Sequence, residues 1–521
     1  TRKHDLKESP CFGEIFPATK GLSVLSKNDK RVEVPIDGEI LTEALKKFTL
    51  ETKPIPPPQA EMALQVVMAE MGNLRDPFLD MPRVWTEDEA INGLFYPGGQ
   101  GRVHQAPPMN MDTSAGFPYK RPPGAEPGKK FLFSRRDHPL IPGCPLYTVS
   151  DPRLRTELDQ AYEQLEKGVV PFMVWTNCLK SEKRPLEKVK TASTRLFTAA
   201  PTAAVILFRR YFGSYCAAVR AGAPRGGLAK VGMDATGIDW HNMIMDLLDC
   251  GTRGFAIDYS SWDARVTEQM FRIFCTAVNA WYGDSLENRR ARWALCDMAC
   301  HTYTLCGRTV IQKHQGNNSG SPITTELNCV ANLSCNVAAA YDLFGPEKAA
   351  NFLVDFGSVF YGDDFVITCD IEDPELPAKW KAALEAYGHS VTDAEKSNKT
   401  PAWKDVSDLL FLKRRTHLLE TGIENYFVSA LDKESIEQQL NFISVNHAIT
   451  DRDLLIQNMN GALREAFRHG QEYYEHFVRK LRSWCAEHDY PATFPTFNSY
   501  RTLFIEELRQ SVCRPFAASP Q

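Results

Sequence analysis

The chain has 521 residues, which at about 150 per domain suits three or four domains or one large multi-lobed enzyme. Hydrophobic residues make up 43% and charged residues 24%, ordinary globular values that exclude disorder, collagen and coiled coil. With a net charge of −5, any site for a polyanion has to be a local basic patch.

No apolar run, with 203–208 among the longest, approaches the roughly 20 residues of a membrane span. The first residues, Thr1-Arg2-Lys3-His4-Asp5, are charged with no apolar signal segment behind them, and a start at Thr1 reads as a processed or trimmed chain. Fourteen scattered cysteines read as reduced thiols of a cytosolic protein, not as a disulfide framework.

In chain order, the first 150 residues are irregular. Pro54–Pro58, Pro97–Gly101 and Pro122–Gly128 are expected to break any long element, which predicts a wrapping region. A helical pattern starts at Asp151 and runs to Lys167, with Gly168 as its C-cap. Residues 234–300 read as largely helical around a short strand at Gly254–Asp258, and 352–369 are dense in β-branched and aromatic residues. Beyond about 416 the pattern is mostly amphipathic helix, with Asp451–His488 the clearest stretch. Helices on one side of a small antiparallel sheet predict the α+β class.

Four segments carry chemistry. In Phe356–Cys369, two strand-forming runs flank Tyr361-Gly362-Asp363-Asp364, and Gly-Asp suits a two-residue hairpin turn. Such a turn presents adjacent carboxylates that repel unless a cation sits between them and another ligand; plain turn chemistry is the alternative. Phe255-Ala256-Ile257-Asp258 reads as a buried strand, with Ser260-Ser261 as cap chemistry for a helix from Asp263. In one helix Asp258 and Asp263 would lie about 140° apart, so only a strand that turns into a helix brings both to one pocket. Asp263 could also merely favour a helix N-terminus. In Gln315–Asn328 a Gly-rich turn leads into a helix with Ser321 as cap and Pro322 first, which sets Thr324 and Asn328 on one face and Ser319 ahead of them. Neutral hydrogen-bonding groups in a row suit sugar hydroxyls, although an ordinary helix start has the same letters. Lys180–Arg195 holds six basic residues against two acidic ones, a strip for triphosphate or backbone, or else a solvated face.

Together these segments resemble the RNA-dependent RNA polymerases of picornavirus-like positive-strand RNA viruses. Asp258 and Asp263 match the first palm motif, Ser319-Gly320 with Thr324 and Asn328 the second, and Tyr361–Asp364 the third. Tyr387-Gly388 with Asp393–Ser397 is similar to the fourth, and Phe411-Leu412-Lys413-Arg414 to the fifth, the primer grip. Lys180–Arg195 matches the basic fingers motif, and Asp112-Thr113-Ser114-Ala115-Gly116 the template-entrance motif. The resemblance spans residues 112–416. Thr1 departs from the buried Gly that begins true picornavirus enzymes. The long amino-terminal part, Phe411–Arg414 and Ala430–Ser435 suggest an insect- or plant-virus relative, iflavirus-like.

The resemblance implies a closed right hand: fingers 1–211 with an insertion at 296–316, palm 212–295 and 317–416, thumb 417–521. It implies template-directed, protein-primed RNA synthesis by two-metal nucleotidyl transfer, replicating a viral positive-strand RNA genome with Mg²⁺ as cofactor and Mn²⁺ able to substitute. Asp258 and Asp363 would bridge the metals, with Asp364 auxiliary and the Tyr259 carbonyl as a backbone ligand. Asp263, Ser319, Thr324 and Asn328 would read the ribose hydroxyls. Lys180, Arg184, Lys188 and Arg195 would hold the triphosphate, and Lys396 would be the general acid for pyrophosphate unless it is an ordinary surface lysine. Thr113, Ser114, Gly116, Lys413 and Arg414 would contact template or primer. The implied partners are template and product RNA, ribonucleoside triphosphates, a small viral protein primer and other viral replication proteins. Those proteins would bring the chain to membrane-associated replication complexes in the host cytoplasm, without its own insertion in lipid.

Competing readings are a reverse transcriptase, an inactive RNA-binding scaffold and a cysteine protease at Cys144. Polar Asp263 and Asn328 stand where a reverse transcriptase blocks the 2′-hydroxyl, intact Asp258, Asp363 and Lys396 oppose the scaffold, and Gly143-Cys144-Pro145 lacks the protease context. Cys296, Cys300, His301 and Cys306 hint at zinc but fall in a helical, partly apolar stretch. Gly124–Lys130 departs from a phosphate-binding loop in spacing and lacks Ser/Thr after Lys.

Overall fold

The computed structural model describes residues 4–34, 38–74, 82–397, 399–421, 424–446 and 448–513. The amino-terminal part wraps, as its composition predicts. Its short strands β1 (Leu6–Glu8) and β2 (Lys20–Leu22) pair with segments far along the chain. One expectation fails here: the proline run does not break a long element but starts one, the 17-residue helix α1 (Pro57–Asn73). Pro57 stands at the first helical position, where the missing N–H would have had no partner and the fixed φ already suits the helix. Helix α2 (Pro152–Glu166) begins as expected, with the Asp151 carboxylate accepting the N–H groups of Arg153 and Leu154, and Gly168 follows it at φ +71°.

Strand β3 (Val174–Leu179) leads to β4 (Lys183–Pro185), the partner of β2, and to β5 (Leu196–Ala199), which pairs with β3. Two helices follow, the buried α3 (Thr202–Gly222) and the amphipathic α4 (Ile238–Leu248). Strand β6 (Arg253–Tyr259) is followed by α5 (Glu268–Tyr282) and α6 (Leu286–Cys300), each N-capped by a hydroxyl, Thr267 and Ser285. The hairpin of β7 (Tyr303–Cys306) and β8 (Thr309–Gln312) then returns to the earlier strands and gives a four-stranded sheet in the order β8-β7-β3-β5. Helix α7 (Thr324–Phe344) is buried along most of its length.

The central sheet is built from β9 (Gly357–Tyr361) and β10 (Asp364–Thr368), with β6 beside β10. After helix α8 (Leu376–Ala386), strand β11 (Val391–Asp393) and the pair Lys404–Asp405 complete the far edge on β6. Register-paired Val359 and Val366 pack on Trp240, Met243, Ile244 and Leu247 of α4. Phe360, Phe365, Phe255 and Ile257 point the other way into the main core, where Trp380 of α8 lies 5.5 Å from Phe255. Helices therefore cover both faces, not one as expected. The reason is legible afterwards: β9 and β10 carry apolar residues at successive positions, the mark of strands buried on both sides.

Beyond residue 413 the expected run of helix begins instead with a hairpin, β12 (Arg414–Glu420) and β13 (Asn425–Leu431). Strand β14 (Phe442–Ser444) pairs with β1. Asp451–His488 is two helices, α9 (Asp451–Ala466) and α10 (Gln471–Glu487), because Gly470 at φ +90° separates them. With α11 (Phe497–Cys513) they enclose a second core that takes in Cys11, Ile15 and Phe16 of the amino-terminal strap. Among the described residues no helix is long and apolar enough to cross a membrane.

Candidate active site

The turn Gly362-Asp363 joins β9 and β10 as a two-residue hairpin, with Tyr361 paired to Asp364 and Gly362 at φ +66°. Helix α7 pins it from beneath. Asn332 donates its amide hydrogens to the carbonyls of Gly362 at 3.0 Å and Asp363 at 3.1 Å, and the Gly362 N–H reaches Cys329 Sγ at 3.2 Å. Phe365 pairs with Ile257, so the same register continued by one residue sets Asp364 opposite Asp258.

Past Asp258, β6 turns at Ser260-Ser261 into the single helical turn Trp262–Arg265, which brings Asp263 back toward the same pocket. Ser261 does this with its backbone, at φ +57°, and its side chain makes no capping bond, contrary to the expected cap. Asp263 accepts a hydrogen bond from Asn328 Nδ2 at 3.0 Å. Left-handed non-glycine residues gather around this region: Ser261, Lys396, Leu412 and Lys413. Strain of this kind persists where surrounding structure holds it, and functional sites are where it collects.

Burial raises all four carboxyl groups, and neighbouring carboxylates add to it at Asp258, Asp263 and Asp364. Burial, then the charges of Asp363 and Asp258, push Asp364 up to about 6. Burial also raises Asp258 and Asp363, and burial with the Asp363 charge raises Asp263. One cation faces Asp258 directly: Lys396 Nζ lies 3.1 Å from its Oδ1. The Lys396 loop is held by Asp393, which accepts the Ser397 hydroxyl at 2.8 Å and the N–H groups of Ser397 and Lys399 at 3.1 Å.

The basic strip comes to the opposite wall. Arg195, paired with Glu182, also feels the charges of Asp263 and Asp363, and Asp263 in turn feels Lys180. Arg184 donates to the Ser193 carbonyl at 3.1 Å and is pushed down by burial. Lys188 stands exposed on the short helix Leu186–Lys190, at the rim of this wall.

The loop before α7 differs from its expected form. The helix starts at Thr324 after Ile323, while the Ser321 hydroxyl accepts only the Ile323 N–H at 3.5 Å. Proline at 322 and the serine cap therefore belong to the preceding turn. The Thr324 hydroxyl is committed to the carbonyls of Asn318 at 2.6 Å and Ser321 at 2.8 Å. Ser319 accepts the Thr198 N–H at 3.4 Å, and a side chain at Gly320 would meet the Thr198 carbonyl at 2.4 Å. Ser319 and Thr324 thus shape the loop on β5, and Asn328 meets Asp263.

The other sequence candidates lie around the site or beyond it. Thr113 and Ser114 are exposed, and Gly116, at φ +74°, lies against Ala200–Pro201, where a Cβ would come within 2.7 Å of Pro201 Cα. Lys413 is exposed in the turn before β12, while Arg414 is turned into a bidentate pair with Glu465 at 2.8 and 2.9 Å. The Tyr259 ring is buried between Trp262, Phe365 and His389, and its backbone pairs with Val391 of β11. Cys296 and Cys300 are buried in α6. Gly128, at φ +89°, packs its backbone against Met111 and Asp112, so the Gly124–Lys130 segment is a packed turn.

Comparison with known families adds the deciding observation. The family model described as viral RNA-dependent RNA polymerase matches residues 23–486. The chain belongs to that family. The polymerase is 31% identical over 501 residues to the genome polyprotein of Rice tungro spherical virus (strain A), covering 92% of this chain and 14% of that protein. It is 29% identical over 391 residues to the genome polyprotein of Deformed wing virus, covering 72% of this chain and 13% of that protein. The polymerase thus spans about a seventh of the length of these curated relatives. Its fold matches a solved structure, Sicinivirus 3Dpol RNA dependent RNA polymerase, with a TM-score of 0.78 and 21% identity over 98% of this chain and 97% of that one. The right-hand α+β architecture expected from the motifs is therefore the fold of this polymerase.

Two residues of the basic wall were missed in the sequence. Lys47, far upstream, joins the basic wall, where burial and then Arg184, Lys188 and Arg195 lower it. Glu182 is the carboxylate that gathers the wall, bonding Arg195 and lying 3.8 Å from Lys180 and 4.0 Å from Arg184. Nothing in the local sequence around Lys47 marks it; Glu182 could have been found as the acid inside a basic run. As a metal site the polymerase offers hard oxygen donors whose mutual repulsion a cation would relieve. Among the described residues no three His, Cys, Asp or Glu side chains form a ready cage.

Proposed function

We propose that the chain builds RNA on an RNA template from ribonucleoside triphosphates, replicating a viral positive-strand genome. The observation that carries this reading is the set of Asp258 on β6, Asp364 on the paired strand β10 and Asp363 in the turn before it, raised by burial despite Lys396 and faced by Arg195. When bound, two Mg²⁺ ions, on Asp258, Asp363 and Asp364 with the Tyr259 carbonyl, would stabilise charge on the attacking and leaving oxygens.

The chain's own groups do the rest. Arg195, Arg184 and Lys180, with Lys47 behind them and Lys188 further out, bind and orient the triphosphate against the acidic wall. Asp263 and Asn328 read the ribose 2′-hydroxyl, held in place by the loop that Ser319 and Thr324 shape. Lys396 holds a proton at Nζ beside Asp258 and delivers it to departing pyrophosphate. Thr113, Ser114, Gly116 and Lys413 line the path of template and primer, and Arg414 fixes the primer-grip hairpin. Fingers at 1–211 and 296–316, palm at 212–295 and 317–416 and thumb at 417–521 are the division we adopt.

The test is primer extension on an RNA template with ribonucleotides and Mg²⁺, beside Asp363→Ala. Extension by the parent alone is expected. Preference for deoxyribonucleotides would promote the reverse-transcriptase reading, and RNA binding without synthesis in any primer format would leave a scaffold. We further infer a small viral protein primer, tested by transfer of UMP to its tyrosine. Recruitment to host-cytoplasm membranes through other viral proteins is tested by fractionation with and without them.

A further inference from the structure

Beside the Asp263–Asn328 pair sits a side chain that no reading above uses. Asn317 is 1% exposed, and its Nδ2 donates to Asn328 Oδ1 and to the Thr324 carbonyl, both at 2.9 Å. Its backbone N–H donates to the Asp263 carbonyl at 2.7 Å, so one residue ties together both members of the pair and the first turn of α7. Its Oδ1 is buried with no hydrogen-bond partner among the described residues. A buried amide oxygen without a partner costs stability, which makes this residue a poor choice for packing alone.

The bond to Asn328 has a direction. Because Asn317 Nδ2 is a donor, Asn328 must offer Oδ1 to it and is left presenting Nδ2 toward Asp263 and the pocket. In the structure Asp263 imposes the same orientation. A 2′-hydroxyl that donates to the Asp263 carboxylate competes for that oxygen and weakens its hold on Asn328. Asn317, buried behind the pocket, keeps its grip throughout.

We infer that Asn317 is a positioning residue for sugar selection, locking the Asn328 amide so that it donates to the ribose 2′-hydroxyl. The inference rests on the reading that Asn328 contacts the sugar. With Asn317→Ala the amide is free to turn its acceptor to the pocket, and the gain from the 2′-hydroxyl shrinks. The loop beneath is stiffened separately: Lys313 Nζ donates to Asn318 Oδ1 at 2.5 Å, and Asn318 donates to Thr302 Oγ1 at 2.6 Å. Truncation at 317 therefore leaves a second anchor for the loop.

The experiment measures kcat/KM for a ribonucleotide and its deoxy analogue in single-nucleotide primer extension by the parent, Asn317→Ala, Asn328→Ala and the double variant. Asn317→Ala is expected to lower the ribo-to-deoxy ratio about five- to tenfold, the scale of one net hydrogen bond, through a raised KM for the ribonucleotide. In the Asn328→Ala background the same change is expected to move the ratio less than about twofold, since nothing remains to be positioned. Asn317→Asp keeps the volume and loses the donor, so it carries the test if the alanine variant does not fold. Equal losses for both sugars in Asn317→Ala or Asn317→Asp would mean a merely structural role and overturn the proposal alone. An unchanged ratio in Asn328→Ala would overturn the sugar reading and the proposal with it.

Discussion

Two buried charge clusters stand in contrast. On α9, Glu465 receives Arg414 at 2.8 Å and Arg468 at 3.0 Å; burial alone would raise its carboxyl, yet these guanidiniums hold it below the ordinary range. At the end of the central sheet, burial raises Asp258, Asp363 and Asp364 alike, and Lys396 does not bring them back. Both clusters are charged and largely withdrawn from water, so burial does not tell them apart. Compensation does. Where the chain supplies its own counter-charge, the cluster joins elements together. Where it leaves acids only partly compensated, the cluster is, on the function proposed above, a place for charge that arrives from outside.

The contrast can be broken at either end. The largest effect is expected from Asp363→Asn, which should lower primer extension by at least about 10³-fold, the scale of losing a group that acts on transition-state charge. Its unfolding midpoint should not fall, because one of three repelling charges is gone. A destabilised variant would show that the acidic cluster holds the fold together. Next comes Glu465→Gln, which strands Arg414 and Arg468 without their anion and should cost about 3 kcal/mol in urea unfolding. Extension per folded molecule should stay within a few-fold; a loss as deep as that of Asp363→Asn would erase the distinction. Lys396→Met should slow nucleotide transfer about 10²-fold, the low end for a lost general acid. A loss confined to KM would make Lys396 a binding residue instead.

What was legible in the sequence is what chemistry keeps local. The Tyr361–Asp364 hairpin, the strand ending at Asp258 and the basic strip each carry their residue types within a short window, and the strand periodicity frames them. What was missed depends on distant partners. Ser261 and Ser321 have cap-like letters, yet the turns they occupy are fixed by packing that no short window contains, so neither caps as expected. The second buried face of the central sheet needs α4, which is over a hundred residues from β9. Lys47 and Asn317 are ordinary letters until the fold sets them beside Arg195 and Asn328.

Lys313 offers a third way to bury a charge, and the smallest effect. Its Nζ bonds Asn318 and lies 3.9 Å from the Phe48 ring centre, and burial pushes it down to about 7, with Asp263 opposing weakly. Here the charge is neither paired nor left for a ligand; near neutral pH it is partly shed. An unfolded lysine keeps its proton to about 10.4. Between about pH 7 and that value the unfolded chain binds the proton more tightly than the folded one, so stability rises with pH across this window and the full penalty applies below it. Lys313→Met has no such proton. The urea midpoint of the parent should climb relative to that of the variant from pH 7 to 9.5, with a slope of at most about 1.4 kcal/mol per pH unit. Parallel curves would mean that the ammonium stays charged in the fold, held by Asp263 and the Phe48 face, and Lys313 would then belong with the compensated cluster around Glu465.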